Sequence, residues 1–193
     1  AQAQGQTQAQ TMSPVTPRAE PAALAPKSGP RISYAPGDNV AASDADIIVN
    51  TVNCRLSPSG RGVMGAGVAK AFAELHPYIL PDYEAAIRSG ELRPGRCLLF
   101  PLRDGRQWAA LATKDHWQDP SREDWVRIGL AELGAKAKAS GARSIAIPPP
   151  GCGNGKLEWD EIEPIVIRYL GDFDLRIHAQ PSRSQEAARM VRE

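Results

Sequence analysis

Short apolar runs bounded by glycine and proline alternate along the chain with longer stretches in which apolar residues recur every three or four positions. Arg31-Ile32-Ser33-Tyr34 predicts a first short strand. The turn Pro36-Gly37-Asp38-Asn39 separates it from Ile47-Ile48-Val49, apolar enough for a central strand. Glycine-rich Val63 to Gly67 feeds a predicted helix over Val68–Leu75, and a second helix over Asp82–Arg88 ends where Gly90 can supply a left-handed cap. Arg96–Leu102 and Gln107–Thr113 flank Arg103-Asp104-Gly105-Arg106, and Asp-Gly between apolar runs predicts a hairpin. Ser121 with Asp124 has the form of a capping box, opening a long helix that carries Val126, Leu130, Leu133 and Ala137 on one face as far as Gly141. Ile145-Ala146-Ile147 predicts a buried strand. A helix from about Asp160 to Leu170 follows, with Pro164 placed in its first turn, and then a last strand over Leu175–His178. Residues 181–193 fit either a short terminal helix capped by Ser184 or a frayed tail.

Strands alternating with helices, interrupted by one hairpin, imply an α/β sandwich: a mixed central sheet with helices on both faces. In open sheets of this kind ligands sit beyond the carboxyl ends of the strands. Asn50, Asn53, Lys114 and two glycine-rich loops all fall at such ends. The second loop, within Ser144–Trp159 (SIAIPPPGCGNGKLEW), reads as strand, glycine turn, helix, the arrangement that brings backbone N–H groups and a helix dipole to an anion. It is not a Walker loop, because Pro150 and Leu157 stand where that pattern needs glycine and Ser or Thr. A tight turn without a ligand reads equally well from this stretch alone.

Composition narrows the classes. The chain has 193 residues, of which 42% are hydrophobic, enough for one domain plus some unpacked sequence, and residues 1–30, rich in Ala, Gln and Pro, are expected to form a disordered tail. A formal net charge of +1 gives no global drive towards nucleic acid or membrane. Cys54, Cys97 and Cys152 are odd in number and widely spaced, which suggests neither a disulfide framework nor a zinc site. That cysteine usage suggests a reducing cytoplasm, and the opening AQAQGQTQAQ lacks the charged start and apolar centre of a signal peptide; a cytoplasmic monomer with no membrane partner and no cofactor is expected.

Taken together, the motifs resemble a macrodomain, the ADP-ribose-binding module, over about residues 31–180. Gly37-Asp38 is similar to the family's Gly-Asp, whose carboxylate accepts from the adenine amino group. Val49-Asn50-Thr51-Val52-Asn53 is similar to its Asn-x-x-Asn strand end. Met64-Gly65-Ala66-Gly67-Val68-Ala69 resembles the first ligand loop, beside the distal ribose, and Pro149 to Leu157, with Gly151, Cys152, Gly153, Asn154, Gly155 and Lys156, resembles the second, around the diphosphate. His178 falls near where the family often carries an aromatic on adenine. The resemblance implies a three-layer α/β/α sandwich. Within the family, Ala112-Thr113-Lys114-Asp115-His116-Trp117 is most similar to the branch that holds the terminal ADP-ribose glycohydrolases and DarG, an antitoxin that removes ADP-ribose from DNA.

In that branch the lysine matching Lys114 is catalytic. A lysine partly desolvated at a strand end can act as a nucleophile or Schiff-base former, or as a cation that steadies the departing base. Protein-directed glycohydrolases of the branch add an aspartate in the second loop, at the position of Gly155 here, so the resemblance implies the DarG-like reaction. Its substrate would be ADP-ribosylated DNA, expected single-stranded, and its partner a cognate DNA ADP-ribosyltransferase. Hydrolysis of ADP-ribosylated protein or O-acetyl-ADP-ribose, and a silent ADP-ribose reader, are the alternatives. Cys54–Gly62 is longer than expected in DarG. Its Arg55 and Arg61 suit either a nucleic-acid backbone or a solvated loop. His116 and Trp117 suit either the acceptor side or packing at the start of the next helix, with packing favoured for Trp117. Cys152, with no histidine partner, reads as loop filler.

Overall fold

The computed structural model describes residues 30–192, so all but the last residue of the stretch expected as a tail lies outside the described residues. Its six strands are β1 (Ile32–Tyr34), β2 (Ile47–Val52), β3 (Cys97–Pro101), β4 (Gln107–Ala112), β5 (Ser144–Ile147) and β6 (Asp174–Ile177). They lie in the order β1-β6-β5-β2-β4-β3, parallel except for the β3–β4 hairpin at one edge. Five helices complete the fold: α1 (Gly67–Leu75), α2 (Leu80–Arg88), α3 (Glu123–Ser140), α4 (Trp159–Leu170) and α5 (Arg183–Met190). Short 3-10 turns cover Val40–Ala42 and Pro77–Ile79.

The period-two alternation of the strands sorts their side chains between two cores. Ile48 and Val52 join Phe72 of α1 and Tyr83 of α2 on one face, whereas Ile47 and Val49 join Val126, Leu130 and Leu133 of α3 and Ile162 and Val166 of α4 on the other. The sheet is therefore the middle layer of an α/β/α sandwich. Each fully buried Ile, Leu or Val in it contributes roughly 1.5–3 kcal/mol by leaving water. β2 runs down the centre between β4 and β5, so the carboxyl ends of β2, β4 and β5 open side by side.

Three helix-end expectations are corrected. Ser121 does not cap α3: the helix begins at Glu123 after Arg122, and the Ser121 hydroxyl instead donates to Thr113 Oγ1 at 3.2 Å. Pro164 sits in the second turn of α4, where it removes the N–H that the Asp160 carbonyl would otherwise accept from. The terminal segment is a helix, and Ser182 rather than Ser184 caps it, accepting from the Gln185 N–H at 3.3 Å. Gly90 and Gly141 do adopt the left-handed conformation expected after α2 and α3, at φ 74° and 75°. Among the described residues, no helix is long and apolar enough to cross a membrane.

Candidate active site

A cleft of about 760 Å³ opens where the strands end, and both glycine loops form its walls. The first loop is set by Asn53, which leaves β2 with its side chain turned along the chain: Nδ2 donates to the Val63 carbonyl at 2.9 Å, and Oδ1 accepts from the Arg55 N–H at 3.1 Å. The Tyr83 hydroxyl, buried beneath, donates to the Asn53 carbonyl at 2.7 Å. Held this way, the loop enters α1 at Gly67, whose φ of +55° a side chain would strain. Ala66 gives no side-chain cap, and the first helical bond runs from Lys70 N–H to the Ala66 carbonyl. The N–H groups of Gly67, Val68 and Ala69 therefore lack helical partners where these residues line the cleft, a setting that favours an anion. The uncapped helix start that faces the cleft is thus that of α1; α4 begins only at Trp159, beyond the second loop.

The second loop is closed by its own backbone and by Ser121. Leu157 N–H donates to the Gly151 carbonyl at 2.9 Å, and Ser121 N–H to the Gly155 carbonyl at 2.9 Å. Gly151 takes φ +77°, and a Cβ there would lie 2.7 Å from Leu157 Cδ1. Lys156, at φ +64°, is the one non-glycine residue with positive φ among the described residues. The two loops meet where Asn154 Nδ2 comes within 3.4 Å of the Cβ position of Gly67.

Lys114, just past β4, stands between the loops. Its Nζ is 3.3 Å from the Asn154 carbonyl and 3.5 Å from the Trp117 carbonyl, long contacts that the ammonium or the amine can donate to. Burial lowers its pKa below the ordinary lysine value, opposed by Asp119 and reinforced by Lys156. The adjoining Asp115 is gripped by Arg55, whose Nη2 donates to Oδ2 at 2.7 Å, and Cys54 N–H donates to the Asp115 carbonyl at 2.8 Å. Arg61 pairs with Glu84 at 3.1 Å, and Arg88 donates to the Gly60 carbonyl at 2.7 Å. The arginines of the Cys54–Gly62 loop are thus engaged within the protein. Burial pushes the Cys152 thiol up to about 12, with Glu158 adding to it, so this cysteine is inert at neutral pH.

Of the site residues expected from the sequence, Asn53, Gly65, Ala66, Gly67 and Lys114 line the cleft. So do Pro149, Gly151, Cys152, Gly153, Asn154 and Gly155 of the second loop. Asn50 does not: it shares the parity of Ile48 and Val52 and is buried on the α1 side, its Nδ2 3.8 Å from the sulfur of Met64 and its Oδ1 without a partner. Met64 is buried with it, and Lys156 is exposed outside the lining. Asp38 and His178 lie together beyond the cleft wall, His178 Nδ1 donating to the Asp38 carbonyl at 3.1 Å. The wall next to them is Ala179-Gln180-Pro181, fastened by the Trp159 Nε1–H that donates to the Gln180 carbonyl at 2.9 Å. Sequence reasoning missed this wall and the loop-locking role of Ser121.

A mixed six-stranded sheet between helical layers, with two glycine loops and an uncapped helix start around one cleft, defines an α/β module with an open cleft beyond the carboxyl ends of its strands, lined by backbone N–H groups that suit an anionic ligand. A family model described as the macro domain matches residues 49–166, and the chain belongs to that family. It is 37% identical over 135 residues to a DNA ADP-ribosyl glycohydrolase of Thermus aquaticus, covering 68% of this chain and 36% of the relative. The fold is similar to the macrodomain of Mycobacterium tuberculosis DarG, with 33% identity, a TM-score of 0.69, and 79% of this chain and 100% of that one covered. It is also similar to Thermosipho africanus DarTG in complex with ADP-ribose, at 26% identity and a TM-score of 0.68, covering 79% of this chain and 42% of that one. The chain spans less than half the length of the DNA ADP-ribosyl glycohydrolases it matches.

Proposed function

We propose that this macrodomain binds ADP-ribose in the cleft and hydrolyses the bond joining its distal ribose to a DNA base. The diphosphate lies against the N–H groups at the start of α1 and the second loop. The adenine end reaches past Ala179–Pro181 towards Asp38 and His178, and the distal ribose faces Lys114. Water supplies the hydroxyl to the anomeric carbon and the proton to the released base. The observation that carries this reading is the position of Lys114 Nζ between the two loops, 3.3 Å from the Asn154 carbonyl, with burial lowering its pKa. The second loop supports DNA over protein as the acceptor. The glycine at 155 leaves no room for the carboxylate that the protein-directed branch carries, since a Cβ there would meet Ser121 Oγ at 2.2 Å.

The relatives named DNA ADP-ribosyl glycohydrolase, and the fusion of such an enzyme to a DNA ADP-ribosyl transferase, support both this activity and a transferase that modifies DNA as the functional partner. The test is release of ADP-ribose from an ADP-ribosylated single-stranded oligonucleotide. Lys114→Ala abolishes release while ADP-ribose affinity stays within a few-fold. Release that persists in Lys114→Ala, or turnover of glutamate-linked protein but not of DNA, overturns the reading.

A further inference from the structure

We propose that His116 and Trp117 form a stacking platform for a nucleobase on the acceptor side of the cleft, a subsite separate from the one that holds ADP-ribose; this rests on the DNA-directed reading above. The two rings already stack on each other, with centroids 3.8 Å apart and planes 28° from parallel. Gln118 N–H donates to His116 Nδ1 at 3.2 Å, so the proton of the neutral ring is on Nε2 and the ring is held in place. Trp117 lines the cleft, and its carbonyl is the 3.5 Å neighbour of Lys114 Nζ. The pair therefore stands at the end of the cleft where the bond to the acceptor would be cut.

Trp117 does not behave as a core residue. The other cleft-lining tryptophan, Trp159, packs on the α3–α4 core and is fastened to Gln180, whereas Trp117 packs against neither core. A large aromatic residue of the cleft lining that supports no core and is preorganised by a second ring suits the face of a base. The backbone alternative is weak here, because the nearby arginines are already paired: Arg55 with Asp115, Arg61 with Glu84, Arg122 with Asp124. Recognition by stacking rather than by phosphate contacts predicts a shallow salt dependence.

The experiment measures binding in the Lys114→Ala protein, which turns nothing over. An ADP-ribosylated single-stranded oligonucleotide should bind about tenfold more tightly than free ADP-ribose, the factor that about 1.4 kcal/mol of stacking produces. Adding Trp117→Leu, which keeps apolar bulk but removes the ring, should erase that advantage. Trp117→Phe should keep most of it, and His116→Ala should lose part. An unchanged Tm across the series certifies that each variant is folded, and the advantage is always taken relative to the same variant's own ADP-ribose affinity. Equal affinity for oligonucleotide and ADP-ribose, or an advantage that survives both Trp117→Leu and His116→Ala, overturns the platform. Failure of the unsubstituted protein to release ADP-ribose strikes the glycohydrolase reading alone, because the binding comparison does not depend on turnover.

Discussion

Ser121 donates its N–H to the Gly155 carbonyl at 2.9 Å, and its Oγ stands 2.2 Å from where a Cβ on Gly155 would fall. The Gly151 carbonyl oxygen, 2.3 Å from the same point, is backbone and cannot swing aside. Any side chain at 155 must therefore displace the second loop. Gly155→Ala and Gly155→Asp are each expected to raise the Kd for ADP-ribose at least tenfold in calorimetry and to lower Tm. Adding Ser121→Gly should not restore affinity, because the clash with Gly151 remains. Near-normal affinity in Gly155→Asp would contradict the steric account.

Burial is the main influence lowering the Lys114 pKa from its ordinary 10.5, with Lys156 assisting and Asp119 opposing. A lowered pKa enlarges the fraction of free amine at any given pH. That amine has two protons for the carbonyls of Trp117 and Asn154 and a lone pair left for the distal ribose. The single-turnover rate of release is expected to rise with pH and to level off below 10.5, and Lys114→Arg should abolish the limb. A rate that falls with rising pH over that range would assign the work to the ammonium instead.

Much of this arrangement is legible in the residues. Asp104-Gly105 announces the hairpin, Gly141 stops α3, and two glycine clusters after apolar strands mark both loops. The failures share a physical cause. Ser121 followed by Asp124 is locally indistinguishable from a capping box, and only the tertiary fold brings Thr113 and Gly155 close enough to claim its polar groups. Lys156 follows the glycine cluster directly in the sequence, yet it takes a left-handed backbone and its side chain is exposed outside the cleft lining. The alternation that sends Ile48 and Val52 to the α1 side sends Asn50 there too, which the Asn-x-x-Asn resemblance obscured. Ala179-Gln180-Pro181 has no chemical signature; its place comes from the end of β6 and the anchor at Trp159.

Arg55 holds Asp115 through Nε, 3.1 Å from both carboxylate oxygens, as well as through Nη2. Both side chains are substantially exposed, so the pair adds little to stability. Its effect is on placement, since Asp115 adjoins Lys114 and is tied through its carbonyl to Cys54. Arg55→Ala is expected to lower kcat several-fold while Tm and ADP-ribose affinity hardly change. Arg55→Lys should not restore the rate, because an ammonium cannot reproduce the two-pronged grip. A variant that loses ADP-ribose affinity in proportion to rate would show that the pair shapes the binding cleft rather than the lysine.

Glu163 is fully buried in α4 and accepts from two directions: the Tyr34 hydroxyl at 2.6 Å and the Ser182 N–H at 2.9 Å. One carboxylate thereby ties β1 and the start of α5 to α4, and Ser182 directly follows the Ala179–Pro181 wall of the cleft. In Glu163→Gln the shape is kept, but the amide nitrogen cannot accept, so either the buried Ser182 N–H or the half-buried Tyr34 hydroxyl loses its acceptor. That costs about 1–3 kcal/mol and should appear as a lower midpoint in urea denaturation. The wall hangs from the same carboxylate, so KM should rise as well. The rate at saturating substrate should be nearly unchanged, because Lys114 is held from β4 and the two loops rather than from α5. A drop in kcat at constant KM would place Glu163 in the path to Lys114 and sink this account of the wall.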